Sequence, residues 1–151
     1  MSVRDIAVFL VIQAAMVFLA LIEAYQEDET GWKHNKHWFS IRLPMGTQIH
    51  AYHVFMFAGL LPIFIFVLPF VLVGWDGHLF LVLLFSYIFG ITLEDFLWFV
   101  VNPHFGLGKW NKKHVTWYSW VQVAKNTWFP KRYIFSLFSC LVLLPAIFAL
   151  Q

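Results

Sequence analysis

The sequence predicts an all-α integral membrane protein, a four-transmembrane-helix bundle with an amphipathic interfacial helix in the third loop. Three observations predict this class. Of the 151 residues, 61% are hydrophobic and only 12% are charged, whereas a soluble domain has about a quarter of its residues charged. Four apolar windows are long enough to cross a hydrocarbon core, which takes about 20 helical residues. The basic residues are concentrated in two of the segments between these windows.

The four predicted spans cover residues 6–24, 49–73, 79–101 and 133–150 of a single membrane domain, residues 1–151. Backbone polar groups in lipid must be paired within their own segment, so these spans are helices. The first apolar window is longer than the apolar region of a signal peptide, which has roughly 7 to 15 residues, and it is interpreted as a span. Prolines inside the second and fourth spans are tolerated as kinks where neighbouring helices pack.

The interfacial helix is predicted over residues 111–128. Trp117, Val121, Ala124 and Trp128 would mark its apolar face, and lysines and amides its polar face. Such a helix lies in the plane of the membrane and is attracted to anionic lipid headgroups. The bilayer and these headgroups are therefore the predicted partners, and nothing in the net charge of +2 indicates nucleic acid.

Basic residues predict the orientation of the bundle. Nine of the ten Lys and Arg residues fall in the first and third loops, and only Arg4 precedes the first span. The positive-inside rule places those loops in the cytoplasm. Both termini are then on the non-cytoplasmic side, and the polar ends of the helices face the cytoplasm.

Two adjacent acids interrupt the third span, in "GITLEDFLWFVVNP". A carboxylate at mid-membrane costs roughly 2.5 to 3.5 kcal/mol on insertion scales, so Glu94 and Asp95 indicate a functional site. Helical spacing places Glu94 on a stripe of small residues with Ser86 and Gly90 that favours close packing. A second stripe with helical spacing follows the first span and brings two glutamates to one helix face. It consists of Gln13, Met16, Ala20, Glu23 and Glu27.

Carboxylates and imidazoles from several helices are typical ligands of Zn²⁺ or of a dinuclear Fe or Mn site. His50 and His53 are spaced to share one helix face, and Glu23 and Glu94 would complete the set. Two further candidate ligands are His104 and His114. His34 and His37 repeat the H-x-x-H spacing, but a solvated loop is the favoured interpretation for them.

The leading functional prediction is a metal-dependent membrane enzyme that acts on a lipid or other hydrophobic substrate at the cytoplasmic interface, either a hydrolase or a di-metal oxidoreductase. Asp95 and Glu27 are the candidate catalytic residues, as general base or ligand-orienting groups. The candidate substrate-binding residues are Lys109, Lys113, Arg132, Trp98 and Asn102.

Two other classes stay open. The first is a non-catalytic membrane subunit or assembly factor, in a homo-oligomer or a larger complex, whose polar residues only connect helices. The second is a transporter or proton relay, since intramembrane carboxylates often mark ion paths. The sequence ranks the relay lowest because the outer half of the spans looks almost wholly apolar and offers only Asp5, Asp76 and His78.

Overall fold

The computed structural model describes residues 2–27, 38–42 and 48–150. Within this part of the chain, four helices are long and apolar enough to cross a membrane, which confirms the number and order of the predicted spans. The orientation of the termini stays a prediction from the charges. The helices are α1 (Val3–Gln26), α2 (Ala51–Val73), α3 (Gly77–Val101) and α4 (Lys131–Ala149).

Helix ends follow local capping chemistry. Ser2 caps α1 in a reciprocal arrangement, in which the Ser2 hydroxyl accepts from the Asp5 backbone N–H and the Asp5 carboxylate accepts from the Ser2 N–H. The Asp76 carboxylate caps α3 by accepting from the Leu79 N–H at 3.0 Å. Gly74 ends α2 with a φ of 81°, a conformation that glycine adopts without steric cost.

Helices α1 and α3 form the centre of the bundle and run parallel, so that the start of one lies beside the start of the other. The two predicted stripes meet at their interface: Gln13, Met16, Ala20, Glu23 and Glu27 on one side, and Ser86, Gly90 and Glu94 on the other, are all buried. The interface is tight at Gly90, where an added Cβ would lie 2.8 Å from Met16 Cγ.

Replacing Gly90 by leucine should therefore destabilise the bundle by about 1–3 kcal/mol, the usual cost of overpacking a core. Thermal unfolding in detergent, followed by tryptophan fluorescence, measures the loss. Gly59→Ala is the matched control, because a Cβ at Gly59 would have as its nearest neighbour the Val54 carbonyl oxygen, at an ordinary 3.8 Å. Equal melting of Gly90→Leu and the wild type would show that the helices do not depend on this close approach.

Helix α2 packs against the outside of this pair with apolar side chains on one face, and Ala51 is its only buried residue. Its backbone widens into π-helical geometry over Val54–Leu60 and Ile63–Val67. The Tyr87 hydroxyl of α3 donates to the Phe57 carbonyl oxygen within the first of these segments. A side chain bonded into the backbone ladder is a known cause of such local irregularity.

The start of α2 differs from the prediction. Strand β1 (Ser40–Arg42) pairs with strand β2 (Gln48–His50) in antiparallel fashion, with Ser40 opposite His50. His50 is extended and precedes the helix, so it does not share a helix face with His53. The prediction that His50 and His53 form an i, i+3 pair on one helix was wrong, because pairing with strand β1 holds the His50 backbone extended.

The predicted interfacial helix at 111–128 is also wrong. Residues 111–119 form turns, and β3 (Trp120–Ala124) pairs with β4 (Thr127–Pro130) as a hairpin. In "WVQVAKNTWFP" the β-branched Val121, Val123 and Thr127 favour strands. Asn126 adopts a φ of 63° in the two-residue turn, a conformation to which asparagine is well suited.

The third loop nevertheless packs onto the bundle. Its side chains form an apolar cluster with the last turns of α1 and α3, so the loop closes the end of the bundle where those helices finish. We call this the basic end, because Lys109 and Arg132 lie in and beside the loop. The cluster contains Ala24, Trp98, Phe99, Phe105, Val115 and Tyr118.

Candidate functional site

Glu23 of α1 and Glu94 of α3 face each other inside the bundle. Their exposed fractions are 7% and 3%, and the two carboxyl groups lie within hydrogen-bonding range. Ionised carboxylates only accept hydrogen bonds, so a direct bond between them requires that one holds a proton. The Oε1 atom of each has no hydrogen-bond partner in the described structure. The pair is thus a buried acid site with free acceptor positions.

Tyr52 of α2 belongs to the same site. Its hydroxyl faces the Glu23 carboxyl group, and Glu94 and Glu27 are close enough to act on it electrostatically. The histidines on either side of Tyr52 were predicted as site residues from the sequence, but the tyrosine itself was missed. Its position in "HAYH", one residue before His53, is the signal that would have turned attention to it.

Asp95 points away from this pair and joins α3 to α4 and the third loop. Its Oδ1 lies 2.9 Å from Arg132 Nη1, and its Oδ2 accepts hydrogen bonds from the hydroxyls of Tyr118 and Tyr133. The Arg132 guanidinium also lies over the Tyr118 ring, 5.1 Å from its centroid. Asp95 therefore has three partners and connects α3 to α4 and to the third loop. Its predicted role as general base stays untested.

The Tyr118 phenol has an unusual environment. Burial, reinforced by the Asp95 charge, raises its pKa well above the usual value. Below pH about 10 the phenol is protonated in both the folded and the unfolded chain. Above that pH the unfolded chain ionises first, so the contribution of Tyr118 to stability is lost as pH rises.

We expect Tyr118→Phe to lower the stability at pH 7 by about 1.5–3 kcal/mol, since it removes a hydrogen bond to a charged group. The variant should also lose less stability than the wild type between pH 9 and pH 11. Melting temperatures in detergent across this range measure both effects. If the melting temperatures of the two proteins fall by the same amount between pH 9 and pH 11, Tyr118 contributes nothing to the loss of stability at high pH.

His50 and His53 lie beside each other at the start of α2. Their ring centroids are 6.0 Å apart, and His53 Nδ1 accepts from the His50 backbone N–H at 3.4 Å. A neutral ring that accepts at Nδ1 carries its proton on Nε2, so neither nitrogen of His53 then offers a free lone pair to a metal. His53 also stacks on Phe57.

The remaining candidate ligands lie at the basic end. His114 is exposed, and its Nδ1 lies 2.9 Å from the Asn111 side-chain oxygen. His104 is exposed and lines a groove of about 500 Å³ together with Glu27, which is buried. His34 and His37 lie outside the described residues. Within the described ranges, no three His, Cys, Asp or Glu side chains form a group able to hold a metal ion.

The predicted substrate-binding residues fall into two sets. Trp98 and Asn102 are buried one and two turns beyond Glu94 on the same face of α3, and neither Trp98 Nε1 nor Asn102 Nδ2 has a partner in the described structure. The cationic residues lie at the basic end. Lys113 is exposed, the Lys109 Nζ donates to the His104 carbonyl oxygen at 2.8 Å, and Arg132 is neutralised by Asp95.

No protein-family model, curated protein or solved structure matches this chain.

Proposed function

We propose that this protein is a membrane enzyme that hydrolyses a lipid or other hydrophobic substrate at the basic end of the bundle. The observation that supports the proposal is the Glu23–Glu94 pair, two buried carboxyl groups in contact with each other and with free acceptor atoms. Paired carboxyls that hold one proton between them can act as base and acid in the same reaction.

The chemistry follows from that shared proton. The ionised carboxylate takes a proton from water while the water oxygen attacks the carbonyl or phosphoryl centre of the substrate. The protonated partner gives its proton to the leaving atom of the substrate, the oxygen of an ester or phosphodiester or the nitrogen of an amide, and the substrate bond to that atom breaks. The Tyr52 hydroxyl, which faces Glu23, orients the pair. The groove lined by Glu27 and His104 gives a polar substrate group a route to the basic end.

Lysines at the basic end suit an anionic headgroup. Lys113 is exposed and Lys109 lies at the loop surface, whereas the charge of Arg132 is balanced by Asp95. Headgroup attraction should therefore come from the lysines, while the acyl part of the substrate stays in the bilayer.

A metal ion bound by the two carboxylates stays a prediction. When bound, Zn²⁺, Fe or Mn would supply an activated water at neutral pH. The two free Oε1 atoms fit such an ion, but no histidine in the described part of the chain joins them in a group able to hold a metal. Elemental analysis of protein purified without chelator measures the metal. Stoichiometric metal that is lost in Glu94→Gln supports a metal-dependent enzyme, and its absence from an active protein assigns the activity to the carboxyl pair alone.

The proposal is tested by incubating the protein in nanodiscs with ester, amide and phosphodiester lipids and following the products by mass spectrometry. Turnover by the wild type should be lost in Glu94→Gln and retained in Asp76→Asn, which also removes one acid but keeps an effective helix cap. Absence of turnover for all three lipid classes by a folded wild type would contradict the proposal.

A further inference from the structure

The buried polar residues form a row along one helix interface. Aromatic side chains aside, every buried polar residue in the described ranges lies on α1 or α3 or directly after one of them. From Asp5 to Glu27 the rise along α1 is about 33 Å at 1.5 Å per residue, close to the thickness of a hydrocarbon core of about 30 Å. The row consists of Asp5, Gln13, Glu23, Glu27, Ser86, Glu94 and Asn102.

The end of the row opposite the basic end is an acid–imidazole pair. Asp5 Oδ1 lies 3.1 Å from His78 Nε2, and Asp5 is only 4% exposed. In the sequence these residues stand out only as two of the few polar residues in the outer half of the spans. The parallel packing of α1 and α3 instead brings them together at the same interface that holds Glu23 and Glu94.

The middle of the row is occupied by Gln13 and Ser86. The Gln13 side-chain Nε2 donates to the Ser86 carbonyl oxygen at 3.0 Å. Gln13 Oε1 lies 3.4 Å from the position of a Cβ on Gly90, and Glu94 follows Gly90 by one turn, about 6 Å along the helix.

Each level of the row has a buried polar atom with no hydrogen-bond partner in the described structure. These atoms are His78 Nδ1, Gln13 Oε1, Glu23 Oε1, Glu94 Oε1 and Asn102 Nδ2. A buried polar group without a partner costs about 1–3 kcal/mol, so five of them in a row favour bound water between the levels. Water held between acids and an imidazole transfers protons.

We infer that the α1–α3 interface is a path for proton transfer across the membrane. His78 and Asp5 exchange protons with one aqueous side, and Gln13 and Ser86 orient the water between that pair and the Glu23–Glu94 carboxyls. Glu27 and the groove beside His104 connect the carboxyls to the other side. This function requires no substrate and does not rest on the proposed hydrolysis.

Neighbouring groups also act on the carboxyl pair. Tyr52 faces it from α2, Asp95 acts on it from α3, and Arg132 acts on it from α4. Apolar side chains separate the levels of the row, with Leu79 and Val82 between His78 and Ser86, and Met16 packed on Gly90. Because apolar side chains separate the levels, the path is suited to protons relayed through single waters and excludes hydrated ions.

Proton flux into vesicles tests the inference. The protein is reconstituted into phosphatidylcholine–phosphatidylglycerol vesicles that contain a pH-sensitive dye, and a potassium diffusion potential made with valinomycin drives protons inward. The wild type should acidify the lumen faster than protein-free vesicles do. Gln13→Leu and Glu94→Gln should reduce the rate to that of protein-free vesicles. Thr92→Val is the matched control, because Thr92 bonds Ser136 at the α3–α4 interface, outside the row.

Two results would overturn the inference. One is a wild-type rate equal to that of protein-free vesicles. The other is full flux through Gln13→Leu, since that variant interrupts the row at its centre. Melting in detergent verifies that each variant is folded, and His78→Gln provides a second interruption if Gln13→Leu unfolds. Gln13 takes no part in the proposed hydrolysis, so loss of flux with retained turnover separates the two functions.

Discussion

Replacing Asp95 by alanine is expected to destabilise the protein by about 3 kcal/mol, the order of cost when one partner of a buried ion pair is removed. The side chains of Asp95 and Arg132 are only 14% and 32% exposed, and they face each other at 2.9 Å. Alanine leaves the Arg132 charge without its anion and the hydroxyls of Tyr118 and Tyr133 without their acceptor. Thermal unfolding in detergent measures the loss.

A second variant tests the cause. Replacing Arg132 by methionine in the Asp95→Ala protein removes the uncompensated cation and fills the space with an apolar chain. We expect this double variant to recover a large part of the lost stability, because the penalty comes mainly from the unpaired charge. If Arg132→Met lowers the stability of the Asp95→Ala protein as much as it lowers the stability of the wild type, the unpaired Arg132 charge is not the origin of the loss.

Glu94→Gln is expected to reduce the hydrolytic rate by roughly 10²- to 10⁴-fold, the usual contribution of a general acid or base. The amide keeps the size of the side chain but can neither hold nor release the proton. Stability should be unchanged or slightly higher, since an amide costs less than a carboxylate in hydrocarbon. Turnover in nanodiscs and melting in detergent, measured on the same preparation, give the two readouts.

Glu94→Ala is the companion variant. It should lose activity to the same extent and also lose stability, because it leaves a cavity between α1 and α3 beside Glu23. If Glu94 only connects the helices, glutamine can donate and accept in its place and Glu94→Gln should be silent. An active, stable Glu94→Gln would contradict the catalytic role of Glu94. A stable Glu94→Gln in a protein that shows no turnover would favour the non-catalytic subunit among the functions that the sequence left open.

Patterns within single helices could be read from the sequence. The four spans, the stripe on α1 and the small-residue stripe on α3 were predicted correctly, because burial in a bundle imposes the helical period directly on the residue types. Both stripes lie in the α1–α3 interface in the structure. The opposing placement of Glu23 and Glu94 follows from these two stripes once the helices are paired.

The choice between helix and strand in the loops was predicted wrongly. Trp117, Val121, Ala124 and Trp128 satisfy helical spacing, but the same segment also satisfies strand alternation around a Lys125–Asn126 turn. Pairing of β3 with β4 decided for the hairpin. His50 was misplaced for a similar reason, since pairing with Ser40 holds its backbone extended.

The sequence by itself determined that the chain has four helices long and apolar enough to span a membrane, with acids on two helix stripes. Only the tertiary structure decided which helices pair and in what register. In the structure Asp95 contacts Arg132 and the hydroxyls of two tyrosines. Tyr52 lies at the Glu23–Glu94 pair, and His78 lies against Asp5. Asp5 and His78, which are 73 positions apart, meet because the parallel packing of α1 and α3 places them at the same level of the bundle. Helix periodicity in the sequence indicates on which face of its helix a residue lies, but not which residue of another helix it contacts.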